Sequence, residues 1–123
     1  MYKLLVVEDS PVPRQMILEM LKSKKLQVRS AEDGVEALEQ VKLDPPDLII
    51  LDIVMPKMNG YEVCRKIKND PATKDVLVLM CSSKKEEFDI YWGMKQGADD
   101  YITKPFKSKE LLVKIKKLLL SRV

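Results

Sequence analysis

Apolar residues in this chain fall into two alternating patterns: short solid runs, and longer segments in which they recur every three or four positions. The solid runs are Lys3 to Val7, Leu26 to Ser30, Leu48 to Leu51, Val76 to Met80 and Tyr101 to Thr103, each free of internal glycine or proline. Runs of this length read as strands, and the third and fourth, almost wholly apolar, read as central strands covered on both faces. The segments between them have helical period. Ser10-Pro11 reads as an N-cap with proline in the first turn, followed by a stripe of Met16, Ile17, Met20 and Leu21. A second helix is expected from Gly34 to Val41, with Ala37, Leu38 and Val41 inward and Pro45-Pro46 as its stop. A third is expected from Gly60 to Asn69 with Val63, Cys64 and Ile67 inward, and a fourth from Lys84 to Gln96, closed by Gly97. The fifth starts near Ser108, a second N-cap candidate, with Leu111, Leu112, Ile115, Leu118 and Leu119 turned to the sheet.

Strands that alternate with helices pair in parallel, because each return crosses over the sheet. Right-handed crossovers put helices on both faces, so the expected fold is α/β: a three-layer α/β/α doubly wound sandwich around a five-stranded parallel sheet. Sheets of this kind bind ligands at the carboxyl ends of their strands. No low-complexity segment, repeat or linker interrupts the pattern, so residues 1–123 are expected to form a single domain.

Composition narrows the chemistry. There is no histidine, which removes the commonest general base and transition-metal ligand, and any phosphohistidine on this chain. Cys64 and Cys81 belong to no CxxC pair, so buried reduced thiols are expected rather than a disulfide framework or zinc site. No apolar run approaches the roughly 20 residues that span a bilayer, and Met1 leads into the first strand without a secretory pattern. A cytoplasmic protein without a membrane partner is the expectation. The net charge of +3 is local: residues 107–123 hold six basic residues and one acid, a pattern that suits a solvated terminal helix better than a nucleic-acid surface.

Four of the five expected strands end in polar groups. Glu8-Asp9 follow the first, Asp52 the third, Ser82-Ser83 the fourth and Lys104 the fifth. Parallel pairing brings all of them to one edge. Three carboxylates crowded there repel unless a cation or a proton intervenes, and an all-oxygen donor set suits Mg²⁺, with Mn²⁺ as the alternative. A lysine and a hydroxyl beside such an ion can share the charge of a transferring phosphoryl group, and Asp52, central in the sheet, is the nucleophile within reach of all of them.

These residues stand in segments that resemble the response-regulator receiver domain, the CheY-like family: VVEDS (Val6 to Ser10), LIILDIVMPKMNGYE (Leu48 to Glu62), the hydroxyl of Ser82, and GADDYITKPF (Gly97 to Phe106). The segments keep the family's order and spacing over essentially the whole chain. The resemblance implies a flavodoxin-like sheet in the order 2-1-3-4-5, and a phosphorylation-activated switch rather than a turnover enzyme. It implies Asp52 as phosphoacceptor, Asp9 and Asp52 as direct metal ligands, Glu8 acting through water, and the backbone carbonyl of Val54 as the remaining protein ligand. It also implies Lys104 as phosphate partner, Ser82 as the switch hydroxyl, Tyr101 as the aromatic that follows it, and a cis bond before Pro105. Glu8 stands where aspartate is more frequent and Ser82 where threonine is. Val54 and Lys84 are neighbours expected to set the dephosphorylation rate.

Two rival readings fit less well. An aspartate-dependent phosphohydrolase usually carries a second aspartate two residues after its nucleophile, where this chain has Val54, which transfers no proton. An FMN binder on the same fold needs a phosphate loop after the first strand, where Glu8-Asp9 would repel phosphate. No organic cofactor is therefore expected. The implied partners are a sensor histidine kinase or histidine phosphotransfer protein, and a downstream protein or covalently linked output domain, with a phosphorylation-dependent homodimer as an alternative. On the fourth helix, Phe88, Ile90, Tyr91, Trp92 and Met94 cover about 200° of circumference, more than one sheet face needs. Tyr91 and Met94 fit the inward stripe, which leaves Ile90, Trp92 and Phe88 as the expected partner surface beside Tyr101.

Overall fold

A computed structural model describes residues 1–22 and 25–121. Five strands, β1 (Tyr2–Val7), β2 (Leu26–Ala31), β3 (Leu48–Leu51), β4 (Leu77–Ser82) and β5 (Asp100–Thr103), form one sheet in the order β2-β1-β3-β4-β5. All four pairings are parallel. The intervening helices are α1 (Pro11–Met20), α2 (Gly34–Leu43), α3 (Gly60–Asn69), α4 (Glu87–Lys95) and α5 (Ser108–Leu120). This is the doubly wound, flavodoxin-like order.

Strand side chains alternate between two cores. Leu5, Val7, Ile49, Leu51, Val78 and Met80 meet Ala37 and Val41 of α2 and Val63, Cys64 and Ile67 of α3. Leu4, Val6, Leu48, Ile50, Leu79 and Cys81 meet Ile17 and Leu21 of the first helical segment and Leu111, Ile115, Leu118 and Leu119 of α5. β3 buries all four of its residues, as its unbroken apolar run requires. Cys64 and Cys81 are free thiols in these interiors, and burial pushes both up to about 12.

The helix ends follow backbone chemistry. Asp33 caps α2 by accepting the Glu36 N–H at 2.8 Å, and Asn59 caps α3 by accepting the Glu62 N–H at 3.0 Å. Ser10 occupies the N-cap position of α1 but makes no side-chain cap bond. Ser108 is the first residue of α5 rather than its cap, which is Lys107. α4 starts three residues later than its apolar pattern suggests, where the Glu86 N–H donates to the Asp89 carboxylate at 3.2 Å.

Several side chains face differently from the helical stripes drawn on the sequence. Met16 is exposed and Met20 only partly covered, because Ile17 and Leu21, one turn apart, take the inward line of their helix. The two methionines flank a shallow apolar crevice with Pro105 and Phe106. Leu112 is likewise exposed, one position off the inward line of α5. On α4, Tyr91 and Met94 point outward and Ile90 packs against the core, the reverse of expectation. The cause is Gly93. A Cβ there would lie 2.7 Å from the Met80 sulfur and 3.4 Å from the Tyr101 ring, so α4 presses its glycine, not its bulkiest side chains, onto the sheet.

Candidate functional site

Strand register delivers the site. Val7 pairs with Ala31 and Leu51, Leu51 with Met80, and Ser82 with Thr103, so β1, β3, β4 and β5 end at one edge. The ladder continues one step beyond the strands: the Glu8 N–H donates to the Ala31 carbonyl at 3.2 Å, Asp52 to Val7 at 3.1 Å, and Lys104 to Ser82 at 2.9 Å. Backbone pairing thus fixes the roots of Glu8, Asp52 and Lys104 along one edge, Glu8 beside Asp52 and Lys104 across Ser82 of β4 from them. The Lys104–Pro105 bond is cis.

The side chains converge accordingly. Glu8, Asp9 and Asp52 each present a carboxylate oxygen, and these lie within 4.8 Å of one another. Glu8 and Asp52 are buried, at 2% and 8% exposure, while Asp9 is half-buried. Lys104 Nζ bonds directly to Glu8 Oε1 and stands 3.7 Å from Asp52 Oδ2. Burial and the neighbouring Glu8 charge push the Asp52 carboxyl up to about 6, against the pull of Lys104. Burial also works against the Glu8 carboxylate, but the Lys104 hydrogen bond and charge outweigh it and hold Glu8 below the usual range. Lys104 loses hydration by burial, yet Glu8 and Asp52 raise its affinity for its proton. One ammonium is therefore shared between two carboxylates, and the second of them is left short of counter-charge.

That imbalance is one a divalent cation would correct. The donor set is all oxygen, without histidine or thiolate, which fits a small hard cation that accepts one or two carboxylates and keeps waters. Val54, whose carbonyl was expected to contribute, lies two residues beyond Asp52 with its side chain exposed.

The remaining expected residues sit around this edge. Ser82 is fully buried, and its Oγ accepts the Lys84 N–H at 3.2 Å. Tyr101 is buried in β5, with its hydroxyl donating to the Lys84 carbonyl at 2.5 Å. Burial pushes this phenol up to about 12. Ser82 and Tyr101 thus grip the same residue of the β4–α4 connection from its two backbone groups. Ile90 faces inward, while Trp92 stacks on Phe88, ring centroids 6.4 Å apart and planes within 3°, on the outer face of α4 with Tyr91 and Met94.

Two residues escaped the sequence reading. Arg14 of α1 donates from Nη1 to the carbonyls of Glu8 (3.0 Å) and Asp9 (3.4 Å), tying down the acidic loop, and its Nη2 lies 3.6 Å from Glu32. Nothing in the linear pattern marks an arginine one turn into a helix as the partner of those carbonyls. Gly60 read only as the first residue of the third helix. Its amide donates to the Ile53 carbonyl at 2.8 Å, and a Cβ would come within 2.2 Å of the Asp52 carbonyl oxygen. Only glycine lets α3 start this close to the loop that carries Asp52.

Comparison with known proteins agrees with this geometry. The chain is 36% identical to Protein PilH of Pseudomonas aeruginosa, over 97% of this chain and 98% of that protein. It is 38% identical to the alkaline phosphatase synthesis transcriptional regulatory protein PhoP of Bacillus subtilis, but there covers 95% of this chain and only 48% of the relative. The chain thus spans about half the length of several of its curated relatives. Among solved structures, a putative response regulator from Chloroflexus aurantiacus superposes with a TM-score of 0.92 at 33% identity, covering 97% of this chain and 98% of that one. The family model of the response regulator receiver domain matches residues 4–116. The chain belongs to the response regulator receiver domain family of two-component signalling.

Proposed function

We propose that residues 1–123 form one receiver domain that works as a phosphorylation-activated switch, with Asp52 accepting a phosphoryl group from a phosphohistidine on a sensor histidine kinase or phosphotransfer protein. In this reading an Asp52 oxygen forms the new O–P bond as the P–N bond breaks, and the imidazole leaves with the electron pair. Glu8, Asp9, Asp52 and the Val54 carbonyl hold Mg²⁺, or Mn²⁺ in its place, which supplies charge neutralisation for the phosphoryl oxygens. Lys104 and the Ser82 hydroxyl stabilise the remaining oxygen charge. The observation that carries the reading is the convergence of three carboxylate oxygens within 4.8 Å of one another, with Lys104 against them.

The reading extends to the response. When Ser82 turns toward a phosphoryl group it gives up the Lys84 N–H, and Tyr101 holds or releases the Lys84 carbonyl, so the β4–α4 connection is the element that reports the state of Asp52. The surface of α4, β5 and α5 then meets a downstream protein, a linked output domain or a second copy. Phe88, Tyr91, Trp92 and Met94 are its exposed apolar members, with Ile90 a support beneath them. PhoP is by name a transcriptional regulatory protein, and this chain matches only half of it, which supports an output carried outside the matched region. Self-dephosphorylation is slow because Val54 offers no general acid or base, so the domain is a timer and not a turnover enzyme. In this reading the domain acts in the cytoplasm; among the described residues no helix is long and apolar enough to cross a membrane.

Intact-mass spectrometry after incubation with acetyl phosphate and Mg²⁺ tests the core of this reading. A gain of one phosphoryl mass is expected in wild type and its loss in Asp52→Asn. Equal labelling of both proteins, or none with Mg²⁺ present, would overturn it.

A further inference from the structure

α4 sits lightly on the sheet. Of its described residues Gly93 alone is buried, while Phe88, Tyr91, Trp92 and Met94 face solvent. Polar contacts from α3 reach both of its ends. At the C-cap, the Cys64 thiol donates to the Gln96 carbonyl at 3.6 Å and Arg65 Nη1 donates to Gln96 Oε1 at 3.3 Å. At the first turn, the Tyr61 hydroxyl donates to the Asp89 carbonyl at 3.2 Å. Asp89 also closes that turn, because its carboxylate accepts the Glu86 N–H at 3.2 Å. Burial and the Asp89 charge hold the Tyr61 phenol above its ordinary range, so it keeps the proton it donates. Tyr61 directly follows Gly60, the residue at which α3 abuts the backbone of Asp52 and Ile53. One position of chain thus separates the contact with the Asp52 loop from a side chain that reaches α4.

We propose that Tyr61 is a positioning residue of the switch: its hydroxyl latches the first turn of α4 to the start of α3, and α3 carries the state of Asp52 to α4 by a path separate from Ser82 and Tyr101. This rests on the phosphorylation reading above and adds to it a residue outside the groups that meet the phosphoryl oxygens. The contact at Gly60 is backbone against backbone, with no side chain to absorb a displacement, so a shift of the Asp52 loop passes into α3. The phenol of the next residue transmits that shift to the Asp89 carbonyl. The latch favours the placement of α4 seen here. A neutral hydrogen bond made in one of two conformations biases their ratio by roughly two- to tenfold. By linkage, removing it strengthens the binding of a phosphoryl mimic at Asp52 by up to the same factor.

Amide ¹H–¹⁵N spectra of the whole chain in Mg²⁺, titrated with beryllofluoride as the phosphoryl mimic, test this with wild type, Tyr61→Phe and Tyr61→Leu. Phenylalanine keeps the ring and removes only the hydroxyl. Leucine keeps apolar bulk against the core with neither ring nor hydroxyl. Before beryllofluoride is added, the α4 amides of Tyr61→Phe should be displaced along the path that wild type travels on saturation. Half-saturation of that variant should need roughly two- to tenfold less beryllofluoride. Tyr61→Leu should do the same, because the missing hydroxyl is common to both. The displacement should also persist in a Ser82→Ala background, where the β4–α4 connection has lost its own hydroxyl. Unmoved α4 amides in Tyr61→Phe, beryllofluoride binding that is unchanged or weaker, an effect confined to Tyr61→Leu, or one abolished by Ser82→Ala would overturn the latch alone. A wild type indifferent to beryllofluoride would overturn the phosphorylation reading as well.

Discussion

Replacing Gly60 with alanine puts one methyl group into the tightest backbone approach of the site. The added Cβ would lie 2.2 Å from the Asp52 carbonyl oxygen and 2.8 Å from the Ile53 Cα. Carbon–oxygen contacts settle at about 3.3 Å or more, so α3 and the Asp52 loop must part by about 1 Å. Neither neighbour is the end of a flexible side chain. The separation also stretches the 2.8 Å bond from the Gly60 amide to the Ile53 carbonyl beyond hydrogen-bonding distance, at a buried position. Forced overpacking costs about 1–3 kcal/mol and a broken buried hydrogen bond about 1–3 kcal/mol, so a loss of about 2–6 kcal/mol is expected. Gly93→Ala is the control. Its Cβ meets the Met80 sulfur at 2.7 Å, a thioether that can rotate aside, and alanine in mid-helix recovers about 1 kcal/mol of helix propensity. Urea unfolding followed by far-UV circular dichroism should place Gly60→Ala well below wild type and Gly93→Ala within about 1 kcal/mol of it. Equal stability of Gly60→Ala and wild type, or the opposite ranking of the two variants, would refute the argument from backbone proximity.

Two further outcomes follow from the electrostatics. The folded protein holds the Asp52 proton up to about pH 6 against an ordinary 3.8, so the folded state binds more protons than the unfolded state between those values. Stability of metal-free protein therefore falls, from this group, as pH rises through that window; Glu8, held low, acts oppositely and loses its contribution below its ordinary 4.5. Thermal unfolding between pH 4.5 and 7 should show a downward slope that Asp52→Asn flattens, and an unchanged slope in that variant would count against the assignment. At the opposite end of the sheet, Lys68 Nζ donates to the Val76 carbonyl at 2.8 Å and to Asp99 Oδ2 at 2.9 Å, while the same Asp99 oxygen accepts the Val78 N–H at 2.8 Å. Lys68→Met should cost about 1–3 kcal/mol in urea unfolding without changing Mg²⁺ affinity, and a parallel loss of Mg²⁺ binding would show that the two ends are coupled.

Much of this protein was legible as pattern. The solid run Leu48 to Leu51 could only be a strand covered on both faces, and all four residues are buried. Val63, Cys64 and Ile67 marked the inward face of α3 correctly, because that helix is charged on every other side. The edge residues were legible because their chemistry is out of place: Glu8, Asp52 and Ser82 are buried polar groups at strand ends, where an apolar fold has no use for them. α4 was illegible for the converse reason. Its largest apolar residues are on the outside, and its inward face is set by a glycine whose missing side chain has no hydropathy.

The order of apolar and polar residues alone determined that strands alternate with helices, that the sheet is parallel, and that acids, hydroxyl and lysine leave it at one edge. These follow from local periodicity and crossover geometry, which act over a few residues or on chirality alone. Tertiary structure decided how the edge is wired: which oxygen of Glu8 takes the ammonium, that Arg14 secures the carbonyls beneath the acids, and that Gly60 and Gly93 set the approach of α3 and α4. Distances of this kind depend on how whole helices rest on the sheet, a balance of packing summed over both cores, and no window of sequence contains that sum.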